Sequence, residues 1–220
     1  MIRFLLMSVL LTAILPGAEP VPLLVTVSAG VEVVMVTVPV TWHSAIIQAD
    51  QRAAFLTPSE RVLVNGGYFD GESHPDGLLI SEGVTSGRLR SGSPYSGFLW
   101  ADRAGQVRIA EGQTVPTNAV WAIQSGPVLV SGGRCAINRS THSAPRSVIA
   151  VRNGQTVVVR SASIGLKELA DFLVAAGIDS AINLDGGPSS SLQAAIGTSV
   201  CERKGMAEVP YFLGFAPRAP

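Results

Sequence analysis

The sequence predicts an α+β domain in which mixed β-sheets are combined with few helices. Short runs rich in Val, Ile and Thr recur along the chain, as expected of strands. The 23 glycines and 14 prolines have no period, so they indicate turns between those runs rather than a collagen-like or low-complexity chain. One segment has apolar residues at helical spacing. With 220 residues, 47% of them hydrophobic, the chain can bury a sizeable core in one domain.

The predicted strands are short and lie between turn signals. Ser28-Ala29-Gly30 separates the first two strands, and Asn153-Gly154 is typical of a hairpin turn. In chain order, strands are predicted at residues 21–27, 31–40, 44–49, 62–65, 78–80, 98–102, 107–111, 119–124, 147–152, 156–159 and 181–184. This rhythm of short strands and turns is typical of a β-rich domain.

One long amphipathic helix is predicted at about residues 166–176. Its apolar residues recur at i, i+3, i+4, i+7 and i+8, and they are Leu166, Leu169, Ala170, Leu173 and Val174. Ser163 or Gly165 can cap its first turn, and Gly177 can end it in the left-handed conformation. The spacing therefore predicts one face of the helix against the core.

The N-terminus has the pattern of a secretory signal peptide. Arg3 supplies a positive charge, residues 4–15 are mostly apolar, and Pro16-Gly17-Ala18 offers small residues for cleavage. The apolar run is shorter than the roughly 20 residues of a spanning helix, so a signal peptide is favoured over a retained membrane anchor. We expect residues 1–18 to be the signal peptide and residues 19–220 the mature domain. The protein is then secreted or periplasmic, without stable membrane insertion after cleavage.

Charge and cysteine content exclude several classes of protein. The 16 basic and 16 acidic side chains balance to zero, whereas binding to nucleic acid backbones needs a basic excess. No nucleic acid partner is therefore expected. Cys135 and Cys201 are too far apart for a C-x-x-C metal or redox motif. An even number of cysteines in an exported chain favours a disulfide over two free thiols.

The most informative segment is Asn183-Leu184-Asp185-Gly186-Gly187-Pro188-Ser189-Ser190. It places a carboxylate and two glycines where a buried strand ends, and bare backbone N–H groups can form an anion-binding nest there. A tight turn with a local Asx hydrogen bond from Asp185 explains the pattern equally well. A serine hydrolase is disfavoured because the segment lacks the second Gly of a G-x-S-x-G elbow.

Three other strand ends carry candidate residues. Asn65-Gly66-Gly67-Tyr68-Phe69-Asp70 has the same order of strand, amide and paired glycines, and its two aromatic residues could line a sugar ring or fill the core. Gln124-Ser125-Gly126-Pro127 is another strand-end turn. Arg146 leads into an apolar strand, so its guanidinium needs a partner, either a structural carboxylate or the carboxylate or phosphate of a ligand.

These motifs together resemble the phosphodiester glycosidase family, which includes the lysosomal uncovering enzyme. The resemblance covers roughly residues 60 to 215. The stretches that carry it are Asn65-Gly66-Gly67-Tyr68-Phe69 with Gly77 and Gly83, Ser125-Gly126-Pro127 with Leu129, Arg146-Ser147 with Ile149, the helix with the segment 183–190, and Val209-Pro210-Tyr211-Phe212-Leu213. The Asn-Leu-Asp-Gly-Gly block behind the helix is the most specific of them.

The resemblance implies hydrolysis at the anomeric carbon of a sugar 1-phosphodiester, with a glycan or sugar phosphate as substrate. Glycoside hydrolysis usually needs two carboxyl groups. Asp185 is expected to be one and Asp70 the other, and the further acids of the first loop are Glu72, Asp76 and Glu82. Because phosphate is a good leaving group, one acid or base with an anion clamp can also suffice. The residues expected to bind substrate are Asn65, Gly67, Phe69, Gly126, Arg146, Gly186, Gly187 and Ser189.

Alternatives remain open for the chemistry of the site. His74 or His142 could protonate a leaving group. No cofactor is expected, although Asp185 with a loop carboxylate and carbonyl oxygens would suit Ca²⁺ or Mg²⁺. No dense acidic motif supports a metal site. The alternative to an enzyme is a non-catalytic binding module for phosphorylated exopolysaccharide or cell-wall polymer.

Overall fold

The computed structural model describes residues 23–28, 30–139 and 142–218. The predicted signal peptide lies outside these residues. Within them the chain forms three β-sheets and two α-helices, and about half of the described residues are in strands. The molecule is therefore mostly β, and the expected α+β class is confirmed only in part.

The strands are short, and the predicted ones all overlap observed strands. In chain order they are β1 (Leu23–Ser28), β2 (Val31–Thr37), β3 (Trp42–Gln48), β4 (Arg61–Asn65), β5 (Leu79–Ser81), β6 (Val84–Ser86), β7 (Gly97–Asp102), β8 (Val107–Glu111), β9 (Ala119–Ser125), β10 (Val128–Ser131), β11 (Arg134–Cys135), β12 (Ala144–Arg152), β13 (Gln155–Ile164), β14 (Ser180–Asn183), β15 (Leu192–Ile196), β16 (Ser199–Arg203) and β17 (Tyr211–Pro217). The Asn153-Gly154 hairpin between β12 and β13 is confirmed.

The strands divide into one large and two smaller sheets. The seven-stranded sheet has the order β1-β2-β13-β12-β14-β10-β11. The two five-stranded sheets have the orders β16-β15-β4-β17-β3 and β6-β5-β9-β7-β8. Strands far apart in the sequence, such as β4 and β17, become neighbours, so the sheets bring distant loops together.

Both α-helices are short. They are α1 (Arg52–Phe55) and α2 (Leu166–Ala175). The predicted amphipathic helix is found as α2, with Leu169, Ala170 and Leu173 buried, but it has only ten residues, so the expectation of a long helix is not met. Among the described residues, neither helix has the length and apolar character needed to cross a membrane.

The expectation of mixed sheets is wrong for the described strands, because all their pairings are antiparallel. A strand, helix, strand succession in a sequence indicates parallel neighbours. Here β13, α2 and β14 form that succession, but β12 lies between the two strands and pairs antiparallel with each. β13 and β14 therefore run parallel to each other without being hydrogen-bonded to each other.

The seven-stranded sheet has a hydrophobic core on each face. One face packs against the two five-stranded sheets, and this core includes Val34, Ile149, Val158, Val62, Leu99 and Leu213. The other face is covered by α2, and this core includes Val33, Val157, Leu169, Leu173 and Ala181. Alternate residues of β2 and β13 belong to different cores, as the pleat of a strand requires.

The loops predicted to carry function meet at one end of the sheets. Asn65, the last residue of β4, pairs with Phe212 at the start of β17. Asn183, the last residue of β14, pairs with Val148 in the middle of β12, two residues beyond Arg146. The N–H of Gly126, just beyond β9, donates to the carbonyl of Asn183 at 3.1 Å. We call this end of the molecule the site end.

The expected disulfide is not formed. Cys135 and Cys201 are both free thiols. Cys135 lies on β11 beside the core under α2, whereas Cys201 is buried in the core between the sheets. The two thiols therefore belong to different cores, a separation that spacing in the sequence does not show.

Reduction is expected to leave the melting temperature unchanged, because no covalent link constrains the unfolded chain. The check is calorimetry of the purified protein with and without dithiothreitol, with a Cys135→Ala variant as control. A fall of several degrees on reduction would show that the thiols pair.

Candidate active site

Asn65 ties together three parts of the site end. It is fully buried, and its Nδ2 donates to the carbonyl oxygens of Gly66 at 3.1 Å and Asp185 at 2.8 Å. Its Oδ1 accepts from Ser147 Oγ at 2.7 Å and from the N–H of Ser191 at 3.0 Å. An amide side chain has two donor hydrogens and two acceptor lone pairs, so this one is fully used inside the protein. The structure gives Asn65 a positioning contact with the Asp185 loop rather than a free group for substrate.

The two glycines after Asn65 allow a close approach by Tyr211. A Cβ on Gly66 would stand 2.3 Å from the Tyr211 ring, and one on Gly67 would stand 2.9 Å from the Tyr211 hydroxyl oxygen. The N–H of Gly66 also donates to the Tyr211 carbonyl at 3.0 Å. Gly67, expected to bind substrate, is therefore required at least for this packing.

Asp185 lies two residues beyond β14 and is partly buried. Burial raises the pKa of its carboxyl, although hydrogen bonds from the Ser189 hydroxyl and the Gly186 N–H act in the opposite direction. The Gly186 N–H donates to Oδ1 at 2.9 Å, so it is engaged by this carboxylate. The Asp185 backbone is fixed on both sides, because its N–H donates to Gly66 and its carbonyl accepts from Asn65.

Arg146 faces the glycine turn that follows Asp185. Its side chain donates from Nε to the Ile164 carbonyl at 3.3 Å and from Nη2 to the His142 carbonyl at 2.9 Å. Nη1 lies 3.5 Å from the position of a Cβ on Gly186. Among the ion pairs of the described residues, none involves Arg146, although the residue is only 6% exposed. Burial lowers its pKa, but an arginine stays charged at neutral pH.

Tyr68 is near enough to both Asp185 and Arg146 for their charges to act on its pKa, a proximity that its sequence context does not reveal. Its hydroxyl donates to the Gly126 carbonyl at 2.6 Å and accepts from Asn183 Nδ2 at 3.2 Å. Burial raises the pKa of Tyr68 to about 12, and the charges of Asp185 and Arg146 act on it in opposite directions. Tyr68 is therefore a neutral hydroxyl in electrostatic contact with both residues.

Gly126 connects the end of β9 with the end of β14. Its φ of +150° and a Cβ position only 2.1 Å from the Pro94 carbonyl both require glycine. Its N–H is used by Asn183, and the preceding Ser125 Oγ donates to the same Asn183 carbonyl at 2.8 Å. Gly126, expected to bind substrate, thus orients Tyr68 and Asn183.

The turn at residues 186–189 offers one backbone donor. The N–H of Gly187 has no hydrogen-bond partner within the described part of the chain, and no atom lies within 4 Å of its Cβ position. Ser189 is buried and its hydroxyl contacts Asp185. The turn is held from outside, because Met206 and Ala207 both donate to the Pro188 carbonyl. Gly187 therefore remains the best candidate for an amide that holds an anion.

Asp70 and Phe69 contact other parts of the protein rather than Asp185. Asp70 is 49% exposed, and its Oδ1 accepts from the N–H groups of Glu72 and His74, each at 2.9 Å. Those bonds, the His74 one above all, lower the pKa of Asp70. No described interaction joins it to Asp185. Phe69 packs beside Phe212 on the outer face of its five-stranded sheet. The structure thus does not bring these two predicted residues to Asp185 by any described contact.

Of the other acids in the first loop, Asp76 reaches the site indirectly. It accepts hydrogen bonds from Arg90 Nε at 2.7 Å and from the Tyr95 hydroxyl at 2.8 Å, and the Tyr95 bond contributes most to lowering its pKa. The Tyr95 ring meets Tyr68 edge to face, with centroids 5.5 Å apart. Asp76 therefore supports the ring behind Tyr68. Glu72 is exposed.

The described residues contain no group of three or more His, Cys, Asp or Glu side chains close enough to hold a metal ion. His74 is exposed and lies near Asp70 and Glu72, 3.6 Å from each carboxylate. The backbone carbonyl of His142 accepts from Arg146. The groups that the structure brings together at the site end are Asp185, Arg146, Gly187 and Tyr68.

A family model described as phosphodiester glycosidase matches residues 59–216. The match spans most of the chain and includes all the loops described above. The chain belongs to the phosphodiester glycosidase family. The resemblance seen in the motifs is confirmed, and membership supports hydrolase activity in general. Curated protein sequences include no match to the chain.

Two solved structures share the fold. One is the zebrafish N-acetylglucosamine-1-phosphodiester alpha-N-acetylglucosaminidase catalytic domain, auto-inhibited by its pro-peptide, with a TM-score of 0.63 and 15% identity over 90% of this chain and 82% of that chain. The other is a hypothetical protein from Synechocystis, with a TM-score of 0.56 and 17% identity over 88% of this chain and 61% of that chain. At identities of 15% and 17%, the likeness to these two structures shows a shared fold alone.

Gly66→Ala is expected to destabilise the protein by about 3 kcal/mol, because the new methyl group overlaps the buried Tyr211 ring. Urea unfolding measures the change. Gly71→Ala is the matched control, since nothing lies within 4 Å of its Cβ position and its φ is not in the left-handed region. Equal stability of the two variants would contradict the packing described here.

Proposed function

We propose that the protein hydrolyses the anomeric C–O bond of a sugar 1-phosphodiester in a phosphorylated glycan or polysaccharide. One observation carries the proposal. A partly buried carboxyl with a raised pKa, Asp185, adjoins a glycine turn that faces the buried guanidinium of Arg146. The turn supplies the N–H of Gly187, which has no hydrogen-bond partner among the described residues.

Arg146 and Gly187 are proposed to hold the phosphate. A buried cation without a counter-ion costs free energy, so its presence is best explained by a negative charge that the ligand brings. Nε and Nη2 are anchored on carbonyl oxygens, which fixes the plane of the guanidinium and leaves Nη1 directed at the turn. An arginine fork and a backbone N–H together match two phosphate oxygens.

Asp185 is proposed to act as the acid. A carboxyl with a raised pKa retains its proton to higher pH than a free one, as a general acid requires. The C1–O bond breaks with its electron pair on the phosphate oxygen, which takes the Asp185 proton. A water oxygen bonds to C1, and the proton that it loses returns to the Asp185 carboxylate. The products are a free sugar and a phosphomonoester.

We propose that one carboxyl suffices, contrary to the expected pair with Asp70. A phosphate leaving group needs less protonation than an alkoxide does. Asp70 Oδ1 accepts two hydrogen bonds within its own turn, from the N–H groups of Glu72 and His74. The zebrafish neighbour, named as a phosphodiester N-acetylglucosaminidase, supports the class of substrate. The apolar N-terminal run supports export to the periplasm or medium, where glycan substrates occur.

Asp185→Asn is expected to reduce kcat by about 100-fold or more, because an amide cannot supply the proton. The assay follows release of N-acetylglucosamine from its phosphodiester with methanol and from related sugar 1-phosphodiesters. Asp70→Asn is the matched control and is expected to retain most of the activity. Undiminished turnover by Asp185→Asn would refute the assignment. Saturable polymer binding by the unmodified protein without any product would favour a binding module instead.

The same variant is expected to melt at or above the wild-type temperature at pH 7. The folded-state pKa of Asp185 lies above its unfolded value of 3.8, so the stability that this carboxyl contributes is present at low pH and is lost as pH rises through the folded pKa. An uncharged amide avoids that loss. Calorimetry at pH 7 and at about pH 3.5 measures the difference, which should shrink at the lower pH. A melting temperature of Asp185→Asn several degrees below wild type at pH 7 would contradict the raised folded-state pKa of Asp185.

A further inference from the structure

A second concave site lies at the opposite end of the sheets from Asp185. β17 shows the separation, because Tyr211 at its start packs under the Asn65 loop and Pro217 at its end pairs with Trp42. Six residue steps along a strand span about 20 Å. The two sites are therefore independent places on one molecule.

This second site is a partly open cavity with an adjoining groove. The cavity has a volume of about 140 Å³ and is lined by the β2–β3 connection, the tips of two hairpins and the end of β17. An open groove of about 500 Å³ adjoins it at Val40 and ends at Arg218. At about 30 Å³ for each water, the cavity has the space of about five waters, which is suited to one six-membered ring at most.

The cavity combines an aromatic surface with polar groups that have no partner in the described residues. Trp42 is half-buried, and its indole N–H makes no hydrogen bond there. Gln106 uses its Oε1 for Arg108 at 2.9 Å, which leaves its Nε2 hydrogens free of described partners. Gln155 uses its Nε2 for the Val38 carbonyl at 3.2 Å, which leaves its Oε1 without a described donor. Donors and an acceptor therefore line the same cavity as the indole.

The polar side chains that line the cavity itself are neutral, and the nearest charge is Arg218 of the adjoining groove, whose Nη2 lies 3.2 Å from the Cβ position of Gly105. An aromatic face packs against the C–H groups of a sugar ring, and carboxamides bind its hydroxyl groups. We propose that this cavity binds one neutral pyranose ring, and that the adjoining groove accommodates the next residue of the same glycan. The proposal does not depend on the hydrolytic activity.

The test is titration of the Asp185→Asn protein with N-acetylglucosamine and with its β1–4-linked disaccharide, followed by tryptophan fluorescence and by saturation-transfer NMR. Saturable binding is expected, and it should weaken by about tenfold or more in Trp42→Ala and Gln155→Ala. Arg146→Ala in the same background should bind as before, which separates this cavity from the active site. His43→Ala is the matched control, because His43 is an exposed neighbour on the same strand with its side chain on the opposite face.

Hydrolysis by the Trp42→Ala variant of the active protein is expected to be unchanged with small substrates, which keeps this test separate from that of the proposed function. Absence of saturable binding, or binding that Arg146→Ala abolishes while Trp42→Ala leaves it intact, would overturn the proposal. Circular dichroism of each variant confirms that it is folded.

Discussion

The candidate site depends above all on the four hydrogen bonds of the Asn65 side chain. This amide joins the end of β4 to Ser147 of β12, to Ser191 and to the carbonyl of Asp185. Ser147 lies on β12, whereas Asp185 and Ser191 lie in the segment between β14 and β15, so no local turn could fix the relation of these parts to β4. Buried amide networks of this kind are costly when one bond is missing, because the remaining polar groups cannot reach water. The same network therefore sets both the local stability and the position of the acid.

The charged groups of the site act against stability. Asp185 ionises in a partly buried place, and Arg146 is buried without a carboxylate partner among the described residues. Some other arginines are paired, as Arg203 is with Glu32, whereas the partly buried Arg160 also has no ion pair among the described residues. Arg146 is distinguished by its place, because its Nη1 faces the glycine turn beside Asp185, where the negative charge of a ligand would meet it. The second cavity differs from the site end, because the polar groups without described partners in its lining are neutral carboxamides and an indole N–H.

Local sequence signals predict local features well. The Asn153-Gly154 hairpin and the position of α2 depend on neighbouring residues, and both can be found from turn chemistry and apolar spacing. β15 and β16 are not predicted, because their residues have no clear strand preference; β15 pairs with the distant β4, and the edge strand β16 pairs with β15 as its hairpin partner. At the site, the glycine motifs locate Asp185 and Asn65, and an arginine that leads into an apolar strand locates Arg146. These signals cannot distinguish an amide that binds substrate from one that binds protein, as the Asn65 amide does. The separation of the two cysteines into different cores is likewise invisible in the sequence.

A crystal structure of the inactive Asp185→Asn protein with a bound sugar 1-phosphodiester tests the account most directly. The account predicts that the phosphate accepts hydrogen bonds from Arg146 Nη1 and the Gly187 N–H, with its bridging oxygen beside residue 185. It also predicts an Asn65 amide that contacts only protein. A phosphate bound elsewhere, with Arg146 unoccupied, would contradict the proposed arrangement of acid and anion.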